Sequence, residues 1–165
     1  MVNGHVATSL QDALDYLQAH DAIPYAGGTD LMVEAKEDAH YLFLHKVPEM
    51  RGIREDGAYL RFGAAVTFTE IMEHPVTPWL LRTACTQIAA PAIRNLGTIG
   101  GNLGNGSAKA DSALIFFVTD SVLRLKSRGG ERLLPITSFY LGRKKLDLRP
   151  GELMVEVLVP KAAAA

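Results

Sequence analysis

Residues 94–111 read RNLGTIGGNLGNGSAKAD, and five of the chain's 15 glycines fall within this stretch. Glycine loses more conformational freedom on folding than any other residue, so such a cluster marks backbone that takes positive φ or must touch something closely. The intervening Asn, Ser and Thr supply hydrogen-bonding groups, and ordinary turn chemistry explains that mixture equally well. A second glycine stretch, AGGTDL at 26–31, lies far away in sequence. Neither is a GxGxxG dinucleotide fingerprint, and GNLGNGSA at 101–108 misses the Walker A pattern because Ser107 stands where the lysine is needed. What remains is a pair of donor-rich turns, each able to present backbone N–H groups to an anion such as pyrophosphate.

The chain has 165 residues, enough for one domain or two small lobes sharing a core. Its 17 basic and 18 acidic side chains give a net charge of −1, so charge supplies no reason to expect nucleic acid or an anionic membrane as partner. No apolar run is long enough to span a bilayer, and the N-terminal MVNGHVATSLQDALDYLQ lacks a basic segment followed by an apolar core, so a cytoplasmic location is expected. Cys85 is the single cysteine, which excludes an internal disulfide and any cysteine-ligated iron–sulfur cluster carried by this chain alone. Within LLRTACTQIAA it reads as a buried structural thiol. The histidines at 5, 20, 40, 45 and 74 show no HxxxH or HExxH spacing, so they read as scattered surface residues and no metal site is expected.

Leu10, Ala13, Leu14 and Leu17 recur at helical spacing, predicting a helix capped by Thr8 or Ser9 and running to about His20. AIPYAGGTDLMVEAKE (22–37) reads as a strand, a glycine turn and a second helix starting at Thr29 or Asp30, whose first N–H groups would point out of the turn. HYLFLHK (40–46) reads as a strand. MRGIREDGAYLRFGAAVT (50–67) reads as a hairpin with Asp56-Gly57 in a type I′ turn. Helices follow from Thr67 to about His74 and from Val76 to about Ala89. Beyond the glycine cluster come a buried helix in DSALIFFVTDS (111–121), a second hairpin from SVLRLKS and GGERLLPI, and a final strand in ELMVEVLVP (152–160). The order is α+β with mostly antiparallel strands, lacking the regular alternation of a doubly wound sheet.

Taken together, AGGTDL, IRNLGTIGGNLGNGSAKAD, the RGIRxxGxxLRFGA hairpin at 51–64 and the LRPGELMVEVLVP ending at 148–160 resemble the FAD-binding domain of the molybdopterin dehydrogenase family, the medium subunit of xanthine dehydrogenase and carbon monoxide dehydrogenase type enzymes. The likeness runs from about Tyr25 to Pro160. It implies two lobes, about 1–55 and 56–160, with a short tail at 161–165. The small N-terminal lobe would be α/β and the larger would carry an antiparallel sheet with flanking helices, FAD lying extended between them. It further implies that Ala26, Gly27, Gly28, Thr29, Asp30 and Leu31 form one wall against the pyrophosphate, and Thr98, Ile99, Gly100, Gly101 and Asn102 the other. Ser107 and Asp111 match positions that hold the ribityl chain, and Leu148 is the candidate for packing on the flavin ring. Capping would equally account for Thr29, Asp30 and Asp111, and core packing for Leu148. Asn105, Ala108 and Lys109 depart from the commoner family pattern, in which a proline often follows the serine. Family members continue into a further small α+β domain, which this chain is expected to lack.

Having no cysteines for clusters, the chain would serve as the FAD-binding subunit, or a fragment of one, in a complex whose partners are an iron–sulfur subunit and a molybdopterin-binding subunit, with NAD among the acceptors such a flavin can reduce. No catalytic acid or base is required of it. Two other readings stay open from sequence: a flavin-fold remnant that acts as an assembly module, and a stand-alone flavin reductase.

Overall fold

The structure, a computed structural model, describes residues 3–35, 38–107 and 110–163. Lys36 and Glu37, the expected end of the second helix, lie outside the described residues, as do Ala108 and Lys109. The chain builds two sheets in succession. In the first, β1 (Asn3–Val6), β2 (Ile23–Tyr25) and β3 (His40–Phe43) are all parallel, in the order β1-β3-β2. Helix α1 (Leu10–Ala19) starts where expected, with the Ser9 hydroxyl accepting from the Asp12 N–H at 3.0 Å, and it buries Leu10, Ala13 and Leu14. The strand β1 was not foreseen, since NGHV contains Asn and Gly and has little intrinsic strand preference.

The second sheet holds β4 (Ile53–Asp56), β5 (Tyr59–Gly63), β6 (Val122–Ser127), β7 (Gly130–Pro135) and β10 (Leu153–Pro160), all antiparallel, in the order β4-β5-β10-β6-β7. A small ribbon of β8 (Tyr140–Gly142) and β9 (Lys145–Leu146) lies between β7 and β10 in sequence. Because β4 pairs with β5, the two sheets part between Phe43 and Ile53. Helices α2 (Phe68–Glu73), α3 (Trp79–Gln87), α4 (Pro91–Arg94), α5 (Ile99–Gly104) and α6 (Asp111–Val118) fill the crossover from β5 to β6. A single buried cluster runs from Leu14 and Leu42 beside the first sheet through Met50 and Phe62 to Phe116 and Val157 at the second. Each such fully buried aliphatic or aromatic side chain contributes about 1.5–3 kcal/mol, so the shared core holds the two sheets together firmly.

Four expectations change. The helix expected from Thr29 or Asp30 is a single 3-10 turn, Leu31–Glu34, and Asp30 at its cap position makes no side-chain capping bond. The first hairpin turns through Gly57 and Ala58, since Asp56 pairs with Tyr59. Positive φ occurs only at Gly57, which is the pattern of a type II′ turn. Helix α6 is buried on one face only, leaving Leu114 and Val118 exposed. Three of the histidines are not scattered. His5, His20 and His40 gather around Tyr16, with His5 and His20 stacked on its ring at centroid distances of 4.4 and 4.2 Å, and the Tyr16 hydroxyl bonded to His40.

Strand β10 is buried along its whole length from Leu153 to Val159, including Glu156, which is 1% exposed. A lone carboxylate could not sit there without compensation. Arg54 meets one of its oxygens at 2.6 Å, and Arg61 and Arg124 meet the other at 3.2 and 3.1 Å, so three neighbouring strands converge on one charge. Near the start of the same strand, Arg132 on β7 grips both Asp147, at 3.0 Å, and Glu152, at 2.8 Å. The Arg132 guanidinium holds the Asp147 carboxyl below its ordinary value. For Glu152, burial pushes upward, but bonds from Arg132 and the Arg149 N–H outweigh it and the net direction is down.

Two outcomes follow from these charges. Replacing Glu156 by Ala removes the carboxylate that three guanidiniums share, although Arg61 keeps Asp56 and Arg124 keeps Glu131, and should lower stability by about 3 kcal/mol in denaturant titration, whereas Arg54→Ala, which removes a half-exposed partner, should cost about 1 kcal/mol or less. Lowered folded-state values mean that Asp147 and Glu152 stabilise the fold above their unfolded titration near about pH 4 and cease to do so as the pH falls through the folded values. The melting temperature should therefore be flat above about pH 5 and fall below about pH 4, with a shallower acid limb in Arg132→Met.

Candidate functional site

The two glycine stretches meet where Gly27 touches Leu96 and Gly97. Gly27 lies so tightly against the backbone of Leu96 and Gly97 that a Cβ there would overlap the Leu96 carbonyl. Beside this contact opens a cleft of about 580 Å³, walled on one side by Tyr25, Ala26, Gly27 and His45 and on the other by Thr67, Glu70, Leu96 and Thr98, with Arg51, Thr69 and Asn95 at its margin. The wall on the larger lobe is ordered by two helix starts. Thr67 caps α2 in a reciprocal box with Glu70, Thr98 caps α5, and the two threonines form an isolated antiparallel bridge. Bonds from Phe68 N–H to Gly97 C=O, 3.0 Å, and from Ile99 N–H to Val66 C=O, 3.1 Å, complete it.

The two glycine turns do different work. Among the described residues, nothing accepts a hydrogen bond from the backbone N–H groups of Gly27, Gly28, Thr29, Asp30 or Leu31. Gly28 sits at φ +69 with the Tyr25 phenol against it, so the chain curls and presents successive donors, the arrangement that binds anions. In the second turn the N–H groups are already engaged: Gly100 with Ala64 C=O at 2.8 Å, Gly101 with the Thr98 hydroxyl at 3.0 Å, and Asn102 with Thr98 C=O at 2.9 Å. A Cβ on Gly100 would strike Ala64, so this glycine allows α5 to pack on the end of β5. Around Gly101 the space is open but for the Thr98 hydroxyl. The second stretch is thus chiefly a scaffold that sets Thr98 in the cleft wall.

Ala26, Gly27 and Thr98 line the cleft directly; Gly28 to Leu31 follow Gly27 in sequence but, like Gly100 and Gly101, are not among its lining residues, and Ile99 is fully buried and offers its surroundings only packing. Asn102, Ser107, Asp111 and Leu148 do not line it. The Asn102 side-chain oxygen accepts from the Ser112 hydroxyl at 2.6 Å, and Ser107 is half-buried. Asp111 is the exposed first residue of α6, with Ala110 in the cap position, so it does not cap that helix. Leu148 is half-buried against the core in the segment held by Arg132. Sequence reasoning missed His45, Arg51, Thr67, Thr69, Glu70 and Asn95. Only the Thr67-x-x-Glu70 capping box was readable there. Arg51 and Glu70 pair across the margin at 2.6 Å, and Glu70 also accepts from the Thr67 N–H at 2.7 Å and its hydroxyl at 2.9 Å. Burial pushes the Cys85 thiol up to about 12, consistent with a structural residue. Among the described residues no group of three or more His, Cys, Asp or Glu could hold a metal ion, and no helix is long and apolar enough to cross a membrane.

Comparison with known proteins identifies the family. Residues 1–162 match the model of the FAD binding domain in molybdopterin dehydrogenase. The chain is 37% identical to the xanthine dehydrogenase FAD-binding subunit of Escherichia coli O157:H7, over 94% of this chain and 56% of that protein, and 32% identical to the carbon monoxide dehydrogenase medium chain of Hydrogenophaga pseudoflava, over 96% and 58%. It superposes on the solved carbon monoxide dehydrogenase of the latter organism, in a form lacking the Mo-pyranopterin moiety, with a TM-score of 0.91 at 30% identity, covering 96% of this chain and 58% of that one. The chain therefore spans little more than half the length of these relatives. Its α+β architecture, its paired glycine turns and the match along nearly its whole length place it in the family of FAD-binding domains of molybdopterin dehydrogenases.

Proposed function

We propose that the chain holds FAD in the cleft between its lobes and acts as the flavin-carrying part of an oxidoreductase complex, receiving electrons from a partner's iron–sulfur cluster and passing them to an acceptor such as NAD. The observation that carries this reading is the run of backbone donors from Gly27 to Leu31, unpartnered among the described residues, which starts in the cleft wall at Gly27 and curls through the positive-φ Gly28. Neutral N–H dipoles of this kind suit a diphosphate, which needs many short donors and little room for side chains. Thr29 adds a hydroxyl beside them. Thr98 and the bare face of Gly101 would bound the other side, and Asn102, Ser107, Asp111 and Leu148 would extend the contact beyond the cleft toward the ribityl chain and ring. When bound, FAD supplies the ability to take up electrons singly and release them as a hydride.

The chain's own part is to bind, orient and shield. The core shared by both lobes keeps the walls in register, so little ordering is required when the cofactor enters. No side chain in the cleft is placed as nucleophile, and Cys85 is buried on α3 away from it. Partner subunits would carry the molybdenum and iron–sulfur centres, because this chain has a single cysteine. The xanthine and carbon monoxide dehydrogenase relatives are the reason for naming that division of labour.

Added FAD at about a hundred times its dissociation constant should raise stability by about 2.7 kcal/mol, seen as a higher melting temperature together with a flavin absorption band that acid releases intact. No shift at high micromolar FAD would favour a fold that has lost its cofactor, and flavin retained on denatured chain would contradict noncovalent binding. The two neighbouring glycines separate scaffold from site. Gly100→Ala should lower the melting temperature of the apo-protein through its collision with Ala64. Gly101→Val should leave the apo-protein nearly unchanged and weaken FAD by more than about tenfold, or about 1.4 kcal/mol.

A further inference from the structure

The cleft has one arginine and one carboxylate among its described lining residues, and they are paired with each other: Arg51 Nη2 lies 2.6 Å from Glu70 Oε1. Resting on the reading of this cleft as the FAD site, we propose that Arg51 and Glu70 form an exchangeable charge pair, in which Arg51 leaves Glu70 to meet the diphosphate as the cofactor enters.

Three observations support the exchange. The free donors at 27–31 are uncharged, so they hydrogen-bond a diphosphate without neutralising it, while Glu70 in the same cleft opposes it. A guanidinium is the side chain suited to that task, since it offers several donors and keeps its charge. The pair is also easily opened. Both side chains are substantially exposed, 39% and 44%, and ion pairs so placed are weakly held. Finally, Glu70 divides its oxygens: Oε1 faces Arg51, whereas Oε2 accepts from the Thr67 N–H and hydroxyl. Departure of Arg51 therefore leaves the capping box of α2 intact, and the wall need not rearrange. The Arg51 backbone is itself fixed, its N–H bonded to Pro48 C=O at 3.0 Å just after the 3-10 turn that links the lobes, so only the side chain moves.

The pair has opposite signs for the two partners. In the full chain, Arg51→Ala leaves Glu70 uncompensated and should weaken FAD binding about tenfold while flattening its dependence on salt. Glu70→Gln keeps the cap acceptor, releases Arg51 and should tighten FAD severalfold. Arg51→Ala with Glu70→Gln together should recover much of the loss, and fluorescence titration of FAD at several salt concentrations reads all three. Apo-proteins that melt alike would show that the changes act on the ligand. If both single variants weaken FAD to the same extent, or if Arg51→Ala binds within about twofold of the unaltered chain, the pair is a fixed strut and the exchange is wrong. Failure of the unaltered chain to bind FAD would instead overturn the reading of the cleft.

Discussion

Two stretches of backbone touch where Gly27 rests on Leu96 and Gly97, and the rest of the molecule is arranged to make that contact possible. A Cβ on Gly27 would collide with the Leu96 carbonyl and force the two stretches apart. The contact is held from behind. Phe68 donates to Gly97, Thr67 bridges Thr98, and Gly100 lets α5 sit directly on Ala64 at the end of β5. The glycines answer the entropic question that they raise, because at Gly27 and Gly100 the backbone needs the volume a Cβ would fill.

The division between the two turns has a physical rationale. A helix start whose N–H groups are already bonded is rigid and satisfied, hence a good wall and a poor donor. A short 3-10 turn preceded by a curled loop leaves its donors unpaired, which is tolerable only where solvent or a ligand reaches them. The 3-10 turn at Leu31–Glu34 and a regular helix from Thr29 would be alike in this respect, since the first N–H groups of either have no partner within the element.

Much of the architecture was legible because it follows local rules. The Ser9 cap, the stripe of Leu10, Ala13 and Leu14, both hairpins and the apolar run that became β10 are all readable from spacing and turn chemistry. The segments that misled were those whose conformation is set by neighbours distant in sequence. Asn3–Val6 forms a strand because β3 is there to pair with it, and His5, His20 and His40 converge because α1 carries Tyr16 across the parallel sheet. At the site, the glycine motifs were visible, but the polar margin was not. Arg51, Thr69 and Asn95 have no motif, and only the tertiary packing of the linker against α2 and α4 brings them to the cleft.

The order of strands in the larger sheet also constrains how the molecule comes into being. Strand β10 occupies the middle, between β5 and β6, although it is the last strand in the sequence. The hairpins β4–β5 and β6–β7 can close locally as soon as each is synthesised, but each then shows a bare edge that has no mate until residues 153–160 leave the ribosome. Long-range pairing of this sort is slow and leaves the waiting edges open to neighbouring chains. Glu156 falls in that same central strand and its three arginines on β4, β5 and β6, so the final closure of the sheet and the meeting of this carboxylate with Arg54, Arg61 and Arg124 are one event, and a nascent chain stalled short of it would carry two unjoined hairpins.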